Sequence, residues 1–288
     1  MKKTNLIPYI VGCSLCFAQM AASAQEFKAH INKQFTLPLA TASTVLAVYD
    51  ISGSIKVEGY NGNKILIEAD ETLSAKNEKD LETGKREFKL GFEQKADSVT
   101  AYISAPFDSR PHDNYSNHHG IRINYHFLVN YTIKVPYHVN LHVSTVNDGN
   151  INIKDIGGSL NVNNVNGAIS IVNAKGTTNA HTINGDLTVN YLKEPPEAST
   201  YYTLNGKLEV IYPKSLSANV QLKSFNGEFF TDFENAVTLP AKVTTTREKN
   251  GSGTRFKLDK KSEIKIGNGG KLFKFETFNG NIYIKKQS

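Results

Sequence analysis

One phrase recurs along this chain: an apolar residue, Asn-Gly, any residue, then apolar–polar–apolar. It reads Val165-Asn166-Gly167-Ala168-Ile169-Ser170-Ile171, then Ile183-Asn184-Gly185-Asp186-Leu187-Thr188-Val189, then Leu204-Asn205-Gly206-Lys207-Leu208-Glu209-Val210. Looser copies sit at Phe225-Asn226-Gly227-Glu228-Phe229 and Phe278-Asn279-Gly280-Asn281-Ile282-Tyr283-Ile284. The glycines Gly149, Gly167, Gly185, Gly206 and Gly227 follow one another at 18, 18, 21 and 21 residues. A fixed period near twenty belongs to stacked repeats.

Each part of the phrase has a physical role. Apolar–polar–apolar is a period of two, which puts the apolar side chains on one face of a strand. Asn-Gly tolerates positive φ, so the backbone turns sharply there. Between hairpin strands the same dipeptide would make a two-residue turn and a β-meander. A coil fits better, because a second short strand lies within each period, as at Ser159–Val162 and Asn219–Leu222. Two strands and two corners per turn predict an all-β fold, a single-stranded parallel β-helix of about 18–21 residues per coil. The general crossover preference favours right-handed coiling. The corner residues are expected at Gly53, Asn61, Gly62, Gly149, Asn166, Gly167, Asn184, Gly185, Asn205, Gly206, Asn226, Gly227, Asn279 and Gly280, with asparagines stacking into a ladder. One coil buries too little apolar surface to offset the entropy of ordering it, so coils must share a core.

The repeat does not begin at once. Residues 1–24 have the form of a secretory signal: Lys2-Lys3, an apolar run Leu6–Phe17, and Ala22-Ser23-Ala24 before Gln25. The run is too short to span a membrane. A lipoprotein signal with Cys13 as the anchor is the rival reading. Loss of this segment removes both cysteines, Cys13 and Cys16, and leaves no disulfide or thiol chemistry. It also removes Lys2 and Lys3, so the net charge falls from +6 to +4. Basic residues are scattered among acids rather than clustered with aromatics, which argues against nucleic acid.

Residues 25–47 read as a leading strand and cap, and 48–288 as the solenoid. Three excursions interrupt it. Residues 70–94 are charged, with a short helix around Glu78–Arg86. Residues 105–120 form a loop with His112, His118, His119, Asp108 and Asp113, and residues 241–270 form strand–turn–strand. Imidazole with carboxylate suits a divalent metal, but a polar loop rarely supplies fixed geometry, so no metal or cofactor is assigned. His138 and His142 fall on period two and are expected to share a polar outer face.

Two places carry a resemblance. Ile51-Ser52-Gly53-Ser54-Ile55-Lys56-Val57-Glu58-Gly59 is one; Val135-Pro136 with Leu141-His142-Val143 and the Asn-Gly series to Val210 is the other. Together they make the chain resemble the putative adhesin family of bacterial envelope proteins, over most of residues 48–284. The resemblance implies a parallel β-solenoid domain of unknown function and attachment at a surface. It carries no agreed catalytic residues.

The reading of function is therefore an exported, non-catalytic envelope protein, in the periplasm, at the outer-membrane surface or outside the cell. It would bind a glycan, matrix or envelope component through outward rows such as Ser170, Thr188 and Glu209. There is no Trp, so Tyr201, Tyr202 and Tyr212 are the candidates for stacking on sugar. The alternatives are a structural or stress-sensing scaffold that binds another protein, and a polysaccharide-active enzyme. An enzyme needs paired carboxylates, and Asp186 and Glu228 occupy matching positions with a lysine coil between them. An apolar outer patch would favour a protein partner; a row of Asn, Thr and Tyr would favour a glycan.

Overall fold

The computed structural model describes residues 25–37, 44–111, 122–250 and 253–288. Residues 1–24 with Cys13, and His112, Asp113, His118 and His119, lie outside the described residues.

The first part of the chain runs β1 (Gln25–Thr36), β2 (Val45–Tyr49), β3 (Ile55–Tyr60), β4 (Lys64–Ala75), α1 (Glu78–Glu87), β5 (Lys89–Gln94), β6 (Ser98–Ala105) and β7 (Tyr125–Pro136). Paired strands follow: β8 (Asn140–Ser144) with β9 (Ile151–Lys154), β10 (Leu160–Asn163) with β11 (Ile169–Ala174), β12 (Thr178–Asn184) with β13 (Leu187–Tyr191), and β14 (Thr200–Asn205) with β15 (Leu208–Tyr212). The chain ends with β16 (Ala218–Asn226), β17 (Phe229–Thr231), β18 (Ala236–Asn250), β19 (Gly253–Ile266), β20 (Lys271–Asn279) and β21 (Ile282–Lys286).

From β7 to β17 successive strands alternate between two sheets. The ten-stranded sheet has the order β1-β4-β7-β3-β9-β11-β13-β15-β21-β17, and the eleven-stranded sheet β18-β19-β16-β20-β14-β12-β10-β8-β2-β6-β5. From β8 to β15 every neighbour pairs in parallel. The ends differ: β1–β4, β4–β7, β5–β6, β16–β19 and β18–β19 are antiparallel. The sheets are therefore mixed, which corrects the expectation of one parallel β-helix throughout. The reason is geometric. A parallel neighbour needs a crossover, whereas a strand returning through a short turn can lie only antiparallel, and such strands cover an otherwise open edge.

Two further corrections follow. Asn61-Gly62 is not a coil corner; it turns the chain from β3 into β4, which runs antiparallel to β7. The coils also do not stack in chain order, since β20 and β21 insert between the β14–β15 pair and the β16–β17 pair. Aromatic matching accounts for the insertion. Phe273 stacks on Tyr212 at 5.4 Å and Phe275 lies 4.8 Å from Tyr201, whereas β16 offers the aliphatic Ala218, Val220 and Leu222 inward.

The core is a set of columns. Ile151, Ile169, Leu187, Leu208 and Ile282 stand in register and are buried, and so do Ile153, Ile171, Val189, Val210 and Ile284. On the facing sheet Val143, Val162, Ala180, Tyr201 and Phe275 align. After the small Ala180 the core fills with tyrosines. Tyr191, Tyr201 and Tyr212 are fully buried, and their hydroxyls satisfy one another at 2.7 and 3.0 Å.

Helix α1 is started by Asn77, whose side chain accepts from the Asp80 amide at 2.9 Å, and its acidic first turn suits the helix dipole. It buries Leu81 and Gly84 against the end strands. Asp70–Ala75, read as part of an excursion, is strand within β4.

Each corner glycine faces the corner glycine of the adjacent coil. A Cβ on Gly149, Gly167, Gly185, Gly206, Gly280 or Gly227 would fall closer than 3.0 Å to that neighbour's carbonyl oxygen. Gly149, Gly167, Gly185 and Gly227 lie outside the left-handed region. Close approach, not a positive φ, is thus what demands glycine there. Gly185→Ala is expected to lower stability by about 3 kcal/mol, as a clash that only backbone movement relieves. Urea unfolding against an exposed control such as Ser170→Ala checks this; equal midpoints would reject the close-packing account.

Asp50, at the end of β2, is 3% exposed. One carboxyl oxygen accepts from the Ile51 amide at 2.8 Å, and Oδ2 has no partner among the described residues. Burial pushes its pKa up to about 7. The folded state thus holds the proton more tightly than the unfolded state. Stability from this group is full below the unfolded value near 4 and is lost as pH rises through 7, by roughly 4 kcal/mol. Asp50→Asn should remove that decline, measured as urea-unfolding free energy from pH 4 to 8. An unchanged pH slope would place the titrating group elsewhere.

Candidate functional site

Alternation along the strands of the eleven-stranded sheet turns one residue in two outward. His142, Asn161, Asn179 and Thr200 fall in register across β8, β10, β12 and β14 and are exposed. Two residues further on, Ser144, Asn163, His181 and Tyr202 form a second row. Neighbours repeat at about 4.8 Å, the inter-strand spacing. The rows therefore present hydroxyl, amide and imidazole groups at a fixed interval. The His181 ring meets Tyr202 edge-on at 4.4 Å, and its desolvation lowers its pKa from the ordinary value although the residue is exposed overall. At neutral pH this face is held uncharged at His181.

One end of the face holds a 280 Å³ recess lined by Tyr49, Pro111, His142, Val143, Ser144, Asn161 and Asn163. Pro111 reaches it from the loop after β6, which is tied down at two places. Ser109 donates to the Tyr49 carbonyl at 2.6 Å. Arg110 grips Asp108 at 2.6 Å and Glu93 at 2.9 Å, with its guanidinium 3.9 Å from the Tyr102 ring. Asp108, weighed from sequence as a metal ligand, is thus committed to arginine. Among the described residues no group of three or more His, Cys, Asp or Glu is arranged to hold a metal.

The ten-stranded sheet carries Asn152, Ser170, Thr188 and Glu209 in register. Glu209 does not offer a spare acid. Lys285 bonds it at 2.8 Å and Lys207 lies at 3.4 Å, and the Lys285 contact holds its carboxyl below the usual range. Tyr201 and Tyr212 are buried and cannot stack on a ligand; Tyr202 alone of the three reaches the surface. His142 lies on the sheet face, but His138 sits in the turn before β8, so the two do not share one face.

At the Asn-Gly corner, Asn166, Asn184, Asn205, Asn279 and Asn226 each donate a side-chain amide to the asparagine of the adjacent coil. The ladder begins at Asn147 and its links measure 2.8, 2.8, 2.9, 2.7 and 2.8 Å. Beside it runs a feature the sequence reading missed. Thr145, Asn164, Thr182, Thr203 and Ser224 each donate to the corner-glycine carbonyl of the adjacent coil. The signal was there: a hydrogen-bonding residue stands two places before nearly every repeat asparagine. The apolar residue between them faces outward, and Phe225 and Phe278 stack in the open at 4.8 Å, exposed by 74% and 44%. Asp186 caps the next coil by accepting from the Lys207 amide at 2.7 Å. Two coils, not one, separate Asp186 from Glu228. Three strand spacings, about 14 Å, exceed the separation of roughly 5–9.5 Å that two-carboxylate glycoside hydrolysis needs.

Stacked two-strand coils, a polar face free of Lys, Arg, Asp and Glu from β8 to β14, and a corner built from asparagine and glycine define an all-β repeat protein whose candidate site is a surface, not a cleft. The chain belongs to the Toastrack DUF4097 family, whose sequence model matches residues 115–270. Among solved structures it is similar to a "putative cell adhesion protein" from Clostridium sporogenes ATCC 15579, at 13% identity over 91% of this chain and 100% of that one, with a TM-score of 0.43. A "putative adhesin" from Bacteroides fragilis NCTC 9343 matches at 9% identity over 90% and 97%, with a TM-score of 0.31. One from Parabacteroides merdae ATCC 43184 matches at 9% over 90% and 96%, with a TM-score of 0.29. No curated protein matches the chain.

The ladder predicts a position effect. Asn184→Ala breaks two links and Asn226→Ala, at the end, breaks one, so the first should cost more, about 1–2 kcal/mol against about 0.5–1. Thermal unfolding of the two variants measures this; the reverse order would mean the ladder is decorative.

Proposed function

We propose that this chain is an exported, non-catalytic envelope protein that binds an extended glycan along the outer face of the eleven-stranded sheet. The observation that supports the reading is the double row of polar donors and acceptors, His142–Asn161–Asn179–Thr200 and Ser144–Asn163–His181–Tyr202. Sugars present hydroxyls that both give and take hydrogen bonds, and amide, hydroxyl and imidazole groups do the same. A regular spacing suits a polymer that repeats its own groups. Tyr202, half-buried, supplies an aromatic ring at the surface, and the 280 Å³ recess beside Pro111 seats one end unit. Export rests on the signal-like first 24 residues, and the alternative of a lipid anchor at Cys13 on the same segment.

One observation favours a protein partner instead. Phe225, Phe278, Phe229 and Phe230 are exposed around the edge strand β17, beside a 280 Å³ recess lined largely by apolar side chains. Exposed apolar patches of that kind mark protein contacts. A strand from another protein would extend the ten-stranded sheet at β17.

Binding of the purified chain to immobilised neutral polysaccharides, in low and high salt, separates these readings. Glycan binding is expected to survive salt, and the pair Asn161→Ala with Tyr202→Ala to weaken it about tenfold or more, the loss of two buried polar contacts. Binding that falls instead with Phe225→Ser and Phe278→Ser would favour the protein-partner surface.

A further inference from the structure

Each coil has a second corner, on the side opposite the Asn-Gly turns, and there the surface is different in kind. A 690 Å³ groove opens along it, lined by Tyr137, His138, Gly157, Lys175, Lys193, Glu194, Pro196 and Lys271. Its size lies within the range of about 300–1,000 Å³ for small-molecule sites. Register explains its shape. His138, Gly157 and Lys175 stand three residues before Leu141, Leu160 and Thr178, which are aligned across β8, β10 and β12. Gly157 thus interrupts a column of side chains, and the gap between His138 and Lys175 becomes a floor. The Glu194-Pro195-Pro196 insertion raises the far wall, where the neighbouring corners are tight turns.

The charge is one-sided. Three lysines and one glutamate line the groove. Lys271 pairs with Glu194 at 3.4 Å, while Lys175 and Lys193 have no ion-pair partner among the described residues. Lys175 follows Ala174 and Lys193 follows Tyr191 by two, and Ala174 pairs with Tyr191, so the two free ammonium groups come from adjacent coils. Tyr137, the aromatic residue of the lining, is 41% exposed.

We propose that this groove binds a carboxylate-bearing sugar, such as the uronate unit of an acidic polysaccharide. Lys175 and Lys193 meet the carboxylate, Tyr137 stacks on the sugar ring, and Glu194 and His138 take hydroxyls. Lysine serves a carboxylate as a point charge, and stacking on an aromatic ring selects a sugar over a bare anion. The groove is separate from the sheet face, so this proposal and the neutral-glycan reading stand or fall independently.

The test is calorimetric titration of the full chain with trigalacturonate at physiological salt, against the matched neutral galactose trisaccharide, inorganic phosphate and a short oligothymidylate. The uronate is expected to bind at least about tenfold more tightly than each of the others, since charge-assisted contacts are about twice as strong as neutral ones. Lys175→Ala with Lys193→Ala should abolish that preference, the double Arg variant should restore it, and Tyr137→Ala should weaken binding severalfold. Asn161→Ala on the sheet face should leave uronate binding unchanged. Three results overturn the proposal: phosphate binding as well as uronate, oligothymidylate binding as well as uronate, or a double lysine variant that binds like the parent. All three side chains are exposed, so their replacement leaves the fold intact.

Discussion

Everything in this structure depends on how closely one coil can lie on the next at the Asn-Gly corner. Parallel strands set a spacing of about 4.8 Å, and at that distance the corner backbones touch. Glycine meets the carbonyl of the glycine beside it, with no room for a Cβ. The asparagine next to it sends its amide along the axis to its counterpart. A threonine, serine or asparagine two places earlier satisfies the glycine carbonyl. Three ladders thus run side by side, and each needs the same residue at the same place in successive coils. The period of the sequence is the imprint of that contact.

The price of such stacking is two open ends. At one, β1, β4 and β7 run antiparallel under α1, and β5 folds back on β6. At the other, the β18–β19 hairpin lies along β16 and shields one sheet, but β17 has three residues and remains an edge. The apolar side chains that the missing neighbour would have covered are exposed there. That asymmetry places the aromatic patch, and it follows from the insertion of β20 and β21 one slot inside the stack.

Two of the three surfaces described share one origin. Because strands are in register, any residue type repeated with the period becomes a row. Polar residues make the face of β8, β10, β12 and β14, whose rows continue into Lys274 and Glu276 on β20, and apolar residues make the ridge that ends at Phe225. On the ten-stranded sheet the same rule brings Glu209 between Lys207 and Lys285, which neutralise it. A row is thus usable for recognition only where its members do not satisfy one another.

The amino-acid sequence by itself determined the alternating strands, the Asn-Gly corners and the asparagine ladder between β10 and β15, since each is a contact between residues that recur at a fixed interval. It also carried the short helix near Glu78, in the charged stretch. Tertiary structure decided the rest. The reversal at Asn61-Gly62, the antiparallel ends and the displaced last coil depend on which strand finds which edge, and a dipeptide that turns a coil also turns a hairpin. Tyr201 and Tyr212 look like surface aromatics in the sequence. They are buried at inward positions of β14 and β15, where they pack with Tyr191, Phe273 and Phe275. The lysine groove was invisible for a related reason: Lys175, Lys193 and Lys271 are far apart in the chain, and only the stacking of coils, with Gly157 leaving the gap, brings them to one side of a single cleft.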